Sequence, residues 1–314
     1  MLRWVWILLG ALSLAAASTY AADPTIASAA KPGIQAFEAK DYTTAFRLLK
    51  PVAQGGEPDA QLHLGYLYRG GLGVPQDDVQ AALWIRRSAQ QHYAPAEFVL
   101  AQMFARGNEM TRNESESERW FHRAAEDGDL DAQMYLASEG LEGDTSGPRY
   151  DEAAKWSTMA AQRGNRDAQE LLAMLYHEGA GVPKDDTQAA AWWQKAATHG
   201  SPGAALWLAQ SYALGRGVAR DDAQALVWYR TAASRNVSLA QVELAHRYAE
   251  GNGLPVDLVQ AYMWGLLATA KEGPGDPMVL DMRVSETIAL LDPKLTADQK
   301  MEAQRRAEAW RPVP

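Results

Sequence analysis

Cysteine is absent from the 314 residues. This excludes disulfide staples, thiolate metal sites and a cysteine nucleophile, and it excludes lipid attachment at a signal-cleavage site. Phenylalanine is scarce, 5 residues against 11 tryptophans. A uniform globular core rarely prefers Trp to Phe, so the tryptophan positions need their own explanation. Positive charge is in deficit, with 30 Lys and Arg against 39 Asp and Glu and a net charge of −9. Nucleic acid and anionic membranes reward the opposite balance, so neither is expected as a partner. Long apolar runs are missing beyond the first residues, and no later segment is expected to span a bilayer.

Residues 1–22 read as a secretory signal. Arg3 supplies the positive start, Trp4 to Ala17 the apolar stretch, and Ser18-Thr19-Tyr20-Ala21-Ala22 a small-residue exit. The apolar run falls short of the roughly 20 residues of a spanning helix. The expectation is cleavage after Ala21 or Ala22 and a soluble, exported, periplasmic chain; an uncleaved anchor is the competing reading. Removal of Arg3 with the leader takes the net charge from −9 to −10. Residues 23–32 read as a flexible lead-in.

What the sequence has in abundance is repetition, the signature to seek first. Ala60, Ala96, Ala132, Ala168, Ala204 and Ala240 follow one another at intervals of 36 residues. Leucine stands four residues after each (Leu64, Leu100, Leu136, Leu172, Leu208, Leu244), with Gly or Ala beside it. An aromatic residue follows in five units, as Tyr68, Phe104, Tyr176, Tyr212 and Tyr248, with Gly140 in the third. Glycine recurs at Gly71, Gly107, Gly143, Gly179, Gly215 and Gly251. Tryptophan recurs at Trp84, Trp120, Trp156, Trp192, Trp228 and Trp264, so six of the eleven share one phase.

Spacings of i, i+4, i+5 and i+8 place the first set on one helical stripe. The glycine tolerates a left-handed C-cap, and Asp77-Asp78, Asp185-Asp186 and Asp221-Asp222 suit the cap and first turn of a second helix. That helix carries the tryptophan, read as a structural wedge between helices, and paired alanines. The units run 60–95, 96–131, 132–167, 168–203, 204–239 and 240–271. A degenerate one precedes them at 33–56, with helices expected over Gly33–Lys40 and Tyr42–Gln54. Residues 278–314 read as a two-helix cap: Met278–Leu291, a break at Asp292-Pro293, then a helix started by a Thr296/Gln299 capping box.

An Ala…Leu-Gly/Ala…Tyr helix, a Gly-x-Gly-Val…Asp loop and an Ala…Trp…Ala-Ala helix at this period resemble the Sel-one-like repeat, a relative of the tetratricopeptide repeat. The resemblance implies an all-α fold, a right-handed α/α solenoid, with scaffolding, adaptor or regulatory roles. Some members are disulfide-stapled and linked to penicillin binding; a chain without cysteine lies outside that branch. The resemblance also implies that first helices line a concave face. Projected onto this chain, that face holds Tyr66, Arg69, Phe98, Gln102, Arg106, Glu142, Met174, His177, Gln210 and His246. Such a mixture suits an extended peptide or a partner helix. Alternatively Leu62, Phe98, Met134, Leu206 and Val242, on the same side, simply extend packing between repeats.

Motifs that could carry chemistry dissolve into the repeat. Gly71-Leu72-Gly73 follows a helix rather than a strand and recurs, which marks a turn and not a phosphate loop. Ser28-Ala29-Ala30-Lys31 has the Ser-x-x-Lys spelling without its companion motifs. The six histidines, His63, His92, His122, His177, His199 and His246, are scattered singly, so no metal site is expected from spacing. Glu114-Ser115-Glu116-Ser117-Glu118 reads as the solvated start of a helix or an acidic contact patch. The second and third loops depart from the pattern (Gly107–Ser115 and Gly143–Arg149), through local decay or specialisation. No catalytic constellation and no cofactor motif is present. The leading expectation is a non-enzymatic exported adaptor with a protein or peptide partner. Second comes an accessory of cell-wall or polysaccharide machinery, and a distant third a wall hydrolase or penicillin-interacting enzyme.

Overall fold

The computed structural model describes residues 29–107, 110–143, 147–269 and 277–313, with backbone alone for 277–282. The expected leader, most of the lead-in, and parts of the two irregular loops lie outside these residues. So does the end of the last repeat. The described residues hold sixteen α-helices and no strand, an α/α solenoid of helix pairs. They fall into two compact units, one ending at Ala160 and the other beginning at Ala161, each described by itself.

The first unit contains α1 (Lys31–Glu38), α2 (Tyr42–Gln54), α3 (Pro58–Gly70), α4 (Asp78–Ala89), α5 (Ala94–Arg106), α6 (Glu114–Glu126), α7 (Leu130–Glu142) and nearly all of α8 (Tyr150–Gln162). Helix α1 begins inside the stretch expected as lead-in, because Pro32 sits in its first turn where a missing N–H costs nothing. The second contains α9 (Arg166–Glu178), α10 (Asp186–Thr198), α11 (Pro202–Leu214), α12 (Asp222–Ser234), α13 (Ser238–Glu250), α14 (Leu258–Thr269), α15 (Pro277–Leu291) and α16 (Ala297–Ala309). First helices start two residues ahead of the alanines that mark the sequence period.

Three devices recur at each turn of the chain. First helices end on glycine in the left-handed region, at Gly71, Gly107, Gly179, Gly215 and Gly251. The second glycine of the loop serves packing: a Cβ on Gly73 or Gly217 would collide with backbone at Tyr42–Thr43 or Asp186–Thr187. Second helices open on Asp77, Asn113, Asp185, Asp221 and Asp257, whose side chains accept from backbone N–H three residues on. Each of these residues also donates its own N–H to the carbonyl nine residues earlier, Tyr68, Phe104, Tyr176, Tyr212 and Tyr248. Arg149 does the same to Gly140. The irregular second and third loops therefore keep the closing bond of the regular ones. Gly140 itself admits α8, since a Cβ there would lie 2.7 Å from the Ala153 nitrogen.

The third device went unread in the sequence. Gln61, Gln133, Gln169 and Gln241 are buried, and each donates its Nε2 to a carbonyl in the last turn of the preceding helix: Ala53, Ala125, Ala161 and Ala233, at 3.1, 2.9, 3.1 and 3.3 Å. Helix C-termini leave carbonyls without partners; these glutamines supply one.

The tryptophans share a phase but not an environment. Trp156 is fully buried and Trp84 nearly so, while Trp120, Trp192, Trp228 and Trp264 are half-buried at the rim of the core. Beside three of these half-buried rings the enclosed wedge is the next residue along: Phe121, Trp193 and Tyr229 are each at most 4% exposed. Arg87, Arg123 and Lys195 lie over Trp84, Trp120 and Trp192 at 4.7, 4.5 and 3.7 Å from the ring centre, which suits a ring with one face outward.

The cap forms as expected. Leu291, Leu295 and Ala303 close on Ala261, Tyr262, Met263 and Leu267 of α14. A single 3-10 turn at Asp292–Lys294 joins α15 to α16, and Thr296 with Gln299 makes the reciprocal capping box. Val313 donates its N–H to the Ser234 carbonyl at 2.8 Å, which ties the tail to α12.

Candidate functional site

The ten side chains projected onto the first-helix face are all at least partly exposed, and Arg106 and Glu142 are fully so. Among the apolar residues set against them, Leu62, Leu206 and Val242 are buried and belong to the core, whereas Phe98 and Met134 are half-buried.

In the first unit, Tyr66 lies in a ring cluster with Phe37 and His63, centroids 6.4 and 6.0 Å away. Burial pushes its phenol up to about 12, against the opposing pull of Arg69. Phe98 meets Phe121 edge to face at 5.6 Å, and Phe121 stacks on Tyr135 at 4.0 Å. Gln102 is half-buried on the same helix.

In the second unit, His177 Nδ1 lies 2.7 Å from Asp186 Oδ1. Its ring sits 5.4 and 6.0 Å from those of Trp193 and Trp207, which stack on each other at 5.6 Å. The second aspartate of a loop pair thus holds a cation-capable ring while the first caps the helix. Met174 is half-buried one turn earlier. His246 Nε2 lies 2.7 Å from the hydroxyl of buried Thr287, so its ring is engaged by α15 rather than presented to a partner.

Gln210 lines a cavity of about 410 Å³ with Ala213, Leu214, Arg220, Asp222, Tyr229, Glu243, Arg247 and Asn252. Arg247 was missed in the sequence. It stands in the phase of Leu67, Met103 and Leu175, which are core residues, but also of Glu139 and Ser211, so the spacing alone did not single it out. The side chain is 10% exposed, with Nη1 3.5 Å from Asp222 Oδ1 and its guanidinium 5.0 Å from the Tyr229 ring centre. Its buried Nε has no hydrogen-bond partner. Glu243 is held by Arg283 at 2.6 Å. The cavity lining therefore alternates charge, and its guanidinium groups suit a carboxylate or carbonyl of a bound chain.

A solenoid of helix pairs with polar and aromatic side chains along its first helices defines a class of protein that works by binding other proteins. The Sel1 repeat model matches residues 58–93, 94–129, 130–165, 166–201, 202–237 and 238–271. The chain belongs to the Sel1 repeat family, whose members generally mediate protein–protein interaction and are typically non-catalytic scaffolds.

Among solved structures, a Sel1 repeat protein from Oxalobacter formigenes is 32% identical, with a TM-score of 0.57, over 77% of this chain and 100% of that one. A protective antigen of uropathogenic Escherichia coli strains, described as displaying an SLR fold, is 29% identical with a TM-score of 0.51. That match covers 88% of this chain and 67% of the antigen. An uncharacterised protein of Neisseria meningitidis serogroup B is 42% identical over 62 residues, 20% of this chain and 13% of that protein. Among the described residues, no helix is long and apolar enough to cross a membrane.

Proposed function

We propose that the chain is an exported, periplasmic, non-enzymatic adaptor that grips a protein or peptide segment along its first helices. In the second unit the grip centres on the cavity beside Gln210. The observation that carries this reading is Arg247, nine-tenths buried at a position that is apolar core in three sister repeats, and itself part of the cavity lining. Burying a guanidinium there costs stability that an apolar residue would not, and Leu67, Met103 and Leu175 show that an apolar residue fits in three sister repeats. A binding role accounts for the exception.

Export rests on the residue 1–22 pattern. Fractionation of cells producing the full chain, with mass measurement of its N-terminus, is expected to find a periplasmic form beginning near Ala22 or Asp23. A photo-crosslinker at Gln210, activated in intact cells, is expected to capture one protein in preference to others. Arg247→Met, which restores the type of residue found in sister repeats, should keep the fold and reduce that capture several-fold. Undiminished capture in Arg247→Met rejects the cavity as the grip. Sedimentation with insoluble cell wall in place of a cross-linked protein favours the wall-associated reading.

A further inference from the structure

The joint between the first and second full repeats breaks the chain's own rules twice, and both breaks point to one spot. At every repeat junction one residue adopts a left-handed conformation: Gly56, His92, Gly128, Gly164, Gly200 and Asn236, 36 residues apart. Five of the six are the residues that tolerate a positive φ. The second is histidine, at φ +60°. Five residues on stands, in four of the six repeats, the buried glutamine that ties a first helix to its predecessor, at Gln61, Gln133, Gln169 and Gln241, while the fifth repeat has apolar Ala205. In the second repeat this residue is Glu97. An ionised carboxylate cannot donate to the Ala89 carbonyl as its sisters do to theirs.

A third residue completes the reversal. In two sister repeats the glutamine oxygen is met by a donor-capable side chain thirty residues on: Gln91 Nε2 lies 2.8 Å from Gln61 Oε1, and His199 Nδ1 2.9 Å from Gln169 Oε1. Opposite Glu97 the same place holds Asp127. Acceptor faces acceptor, and His92 Nδ1 stands 2.9 Å from Asp127 Oδ2. Glu97 is 0% exposed, and neither of its oxygens has a hydrogen-bond partner. Arg123 Nη2 comes to 3.2 Å of Glu97 Oε1, but its guanidinium lies over the Trp120 ring as Arg87 lies over Trp84. One arginine against two carboxylates leaves the pocket negative.

We propose that His92, Glu97 and Asp127 form a binding site for a first-row divalent cation of the zinc type. One ligand atom from each lies within 4.8 Å of the others. Zinc holds imidazole nitrogen and carboxylate oxygen at about 2.0–2.2 Å, so the three groups need to draw in by about an ångström each. His92 is 69% exposed on its side chain and Asp127 32%, which gives them freedom to move while Glu97 is fixed. Arg123 Nη2, which lies 3.2 Å from Glu97 Oε1 and 3.4 Å from His92 Nδ1, holds the place of the ion and must swing out for it to enter, as its side chain, 36% exposed, is free to do. An imidazole with two carboxylates selects a zinc-type ion over magnesium or calcium, which prefer all-oxygen cages. Three protein ligands leave a fourth to solvent or to a docked partner.

The test uses the exported chain without an affinity tag, stripped with chelator and titrated with zinc chloride by calorimetry. Wild type is expected to bind one zinc ion and to melt at higher temperature with it. Glu97→Gln and His92→Gly each restore the residue of sister repeats, so both should fold, and each should weaken zinc binding at least ten-fold. Glu97→Gln should melt no lower than wild type when both are metal-free, because the bond to the Ala89 carbonyl is regained. Zinc binding unchanged in both variants would place the ion on other histidines and overturn the proposal. So would a wild type that takes up no zinc while Glu97→Gln melts higher, since the carboxyl pair then holds only a proton.

Discussion

Six tryptophans at one phase of a repeat carry unequal shares of the stability. Trp156 is enclosed on all sides, and its unit is the one in which Gly140 replaces the aromatic of the partner helix. Trp156→Ala should cost about 3–5 kcal/mol, the range for emptying a large core site. Trp192→Ala, which removes a half-exposed ring from under Lys195, should cost about 1 kcal/mol, as for an ordinary destabilising change. Midpoints of urea denaturation for the two variants would rank them. Spacing exposed the phase but not this inequality, because burial depends on which side chain follows and how closely the next helix approaches. Glu170 gives a pH-dependent counterpart. Burial holds its carboxyl above the ordinary glutamate value, against the opposing hydrogen bond from Ser201 at 2.5 Å. A carboxyl raised on folding contributes stability that is whole below its unfolded pKa and is lost as pH rises through the folded one. Thermal melts should therefore fall across that window in wild type, and less so in Glu170→Gln; equal slopes would remove Glu170 from the account.

Helices and their joints were the most legible scale, since caps and turns are local chemistry. The aspartate pairs, the left-handed glycines and the Thr296/Gln299 box all form where the residue types require them. Thr296→Ala should cost about 0.5–2 kcal/mol, concentrated in α16, and faster amide exchange over Ala297–Met301 would show it. Gly217→Ala should be more damaging than a loop glycine suggests, because φ is +71° and the added methyl meets the Asp186 backbone. About 1–3 kcal/mol is the cost of such a strained residue alone; a loss no greater than Gly147→Ala, where a Cβ meets nothing within 4 Å, would disprove the packing role. The glutamine ties escaped the sequence reading because a polar residue beside a core alanine looks like a solvated position. Only the end of the preceding helix, eight residues earlier in sequence, turns it inward. The same blindness hid Glu97.

For the whole molecule, the period alone announced an α/α solenoid, and the family follows from it; the partner does not, since repeat regularity describes packing and binding lives in departures from it. Arg247 and the His92–Glu97–Asp127 cluster are such departures, each visible as a residue of the wrong type at a repeat position once the structure says what that position does. The C-terminal helices are covers: truncation before Pro277 strips Tyr262, Met263 and Leu267 of Leu291 and Leu295, and terminal repeats without a polar outer face lose solubility. Size-exclusion chromatography of the truncated chain should show aggregation. The joints carry one more consequence. A left-handed hinge residue recurs at all six junctions and a glutamine tie at four of them, on a fixed 36-residue interval, so most copied units already own both halves of the connection to their neighbours. Unequal recombination between two repeats of the gene can lengthen or shorten such a chain without inventing an interface. The junction at His92 and Glu97 is the exception, because a unit spliced in there would part the ligands and erase what that junction alone has acquired.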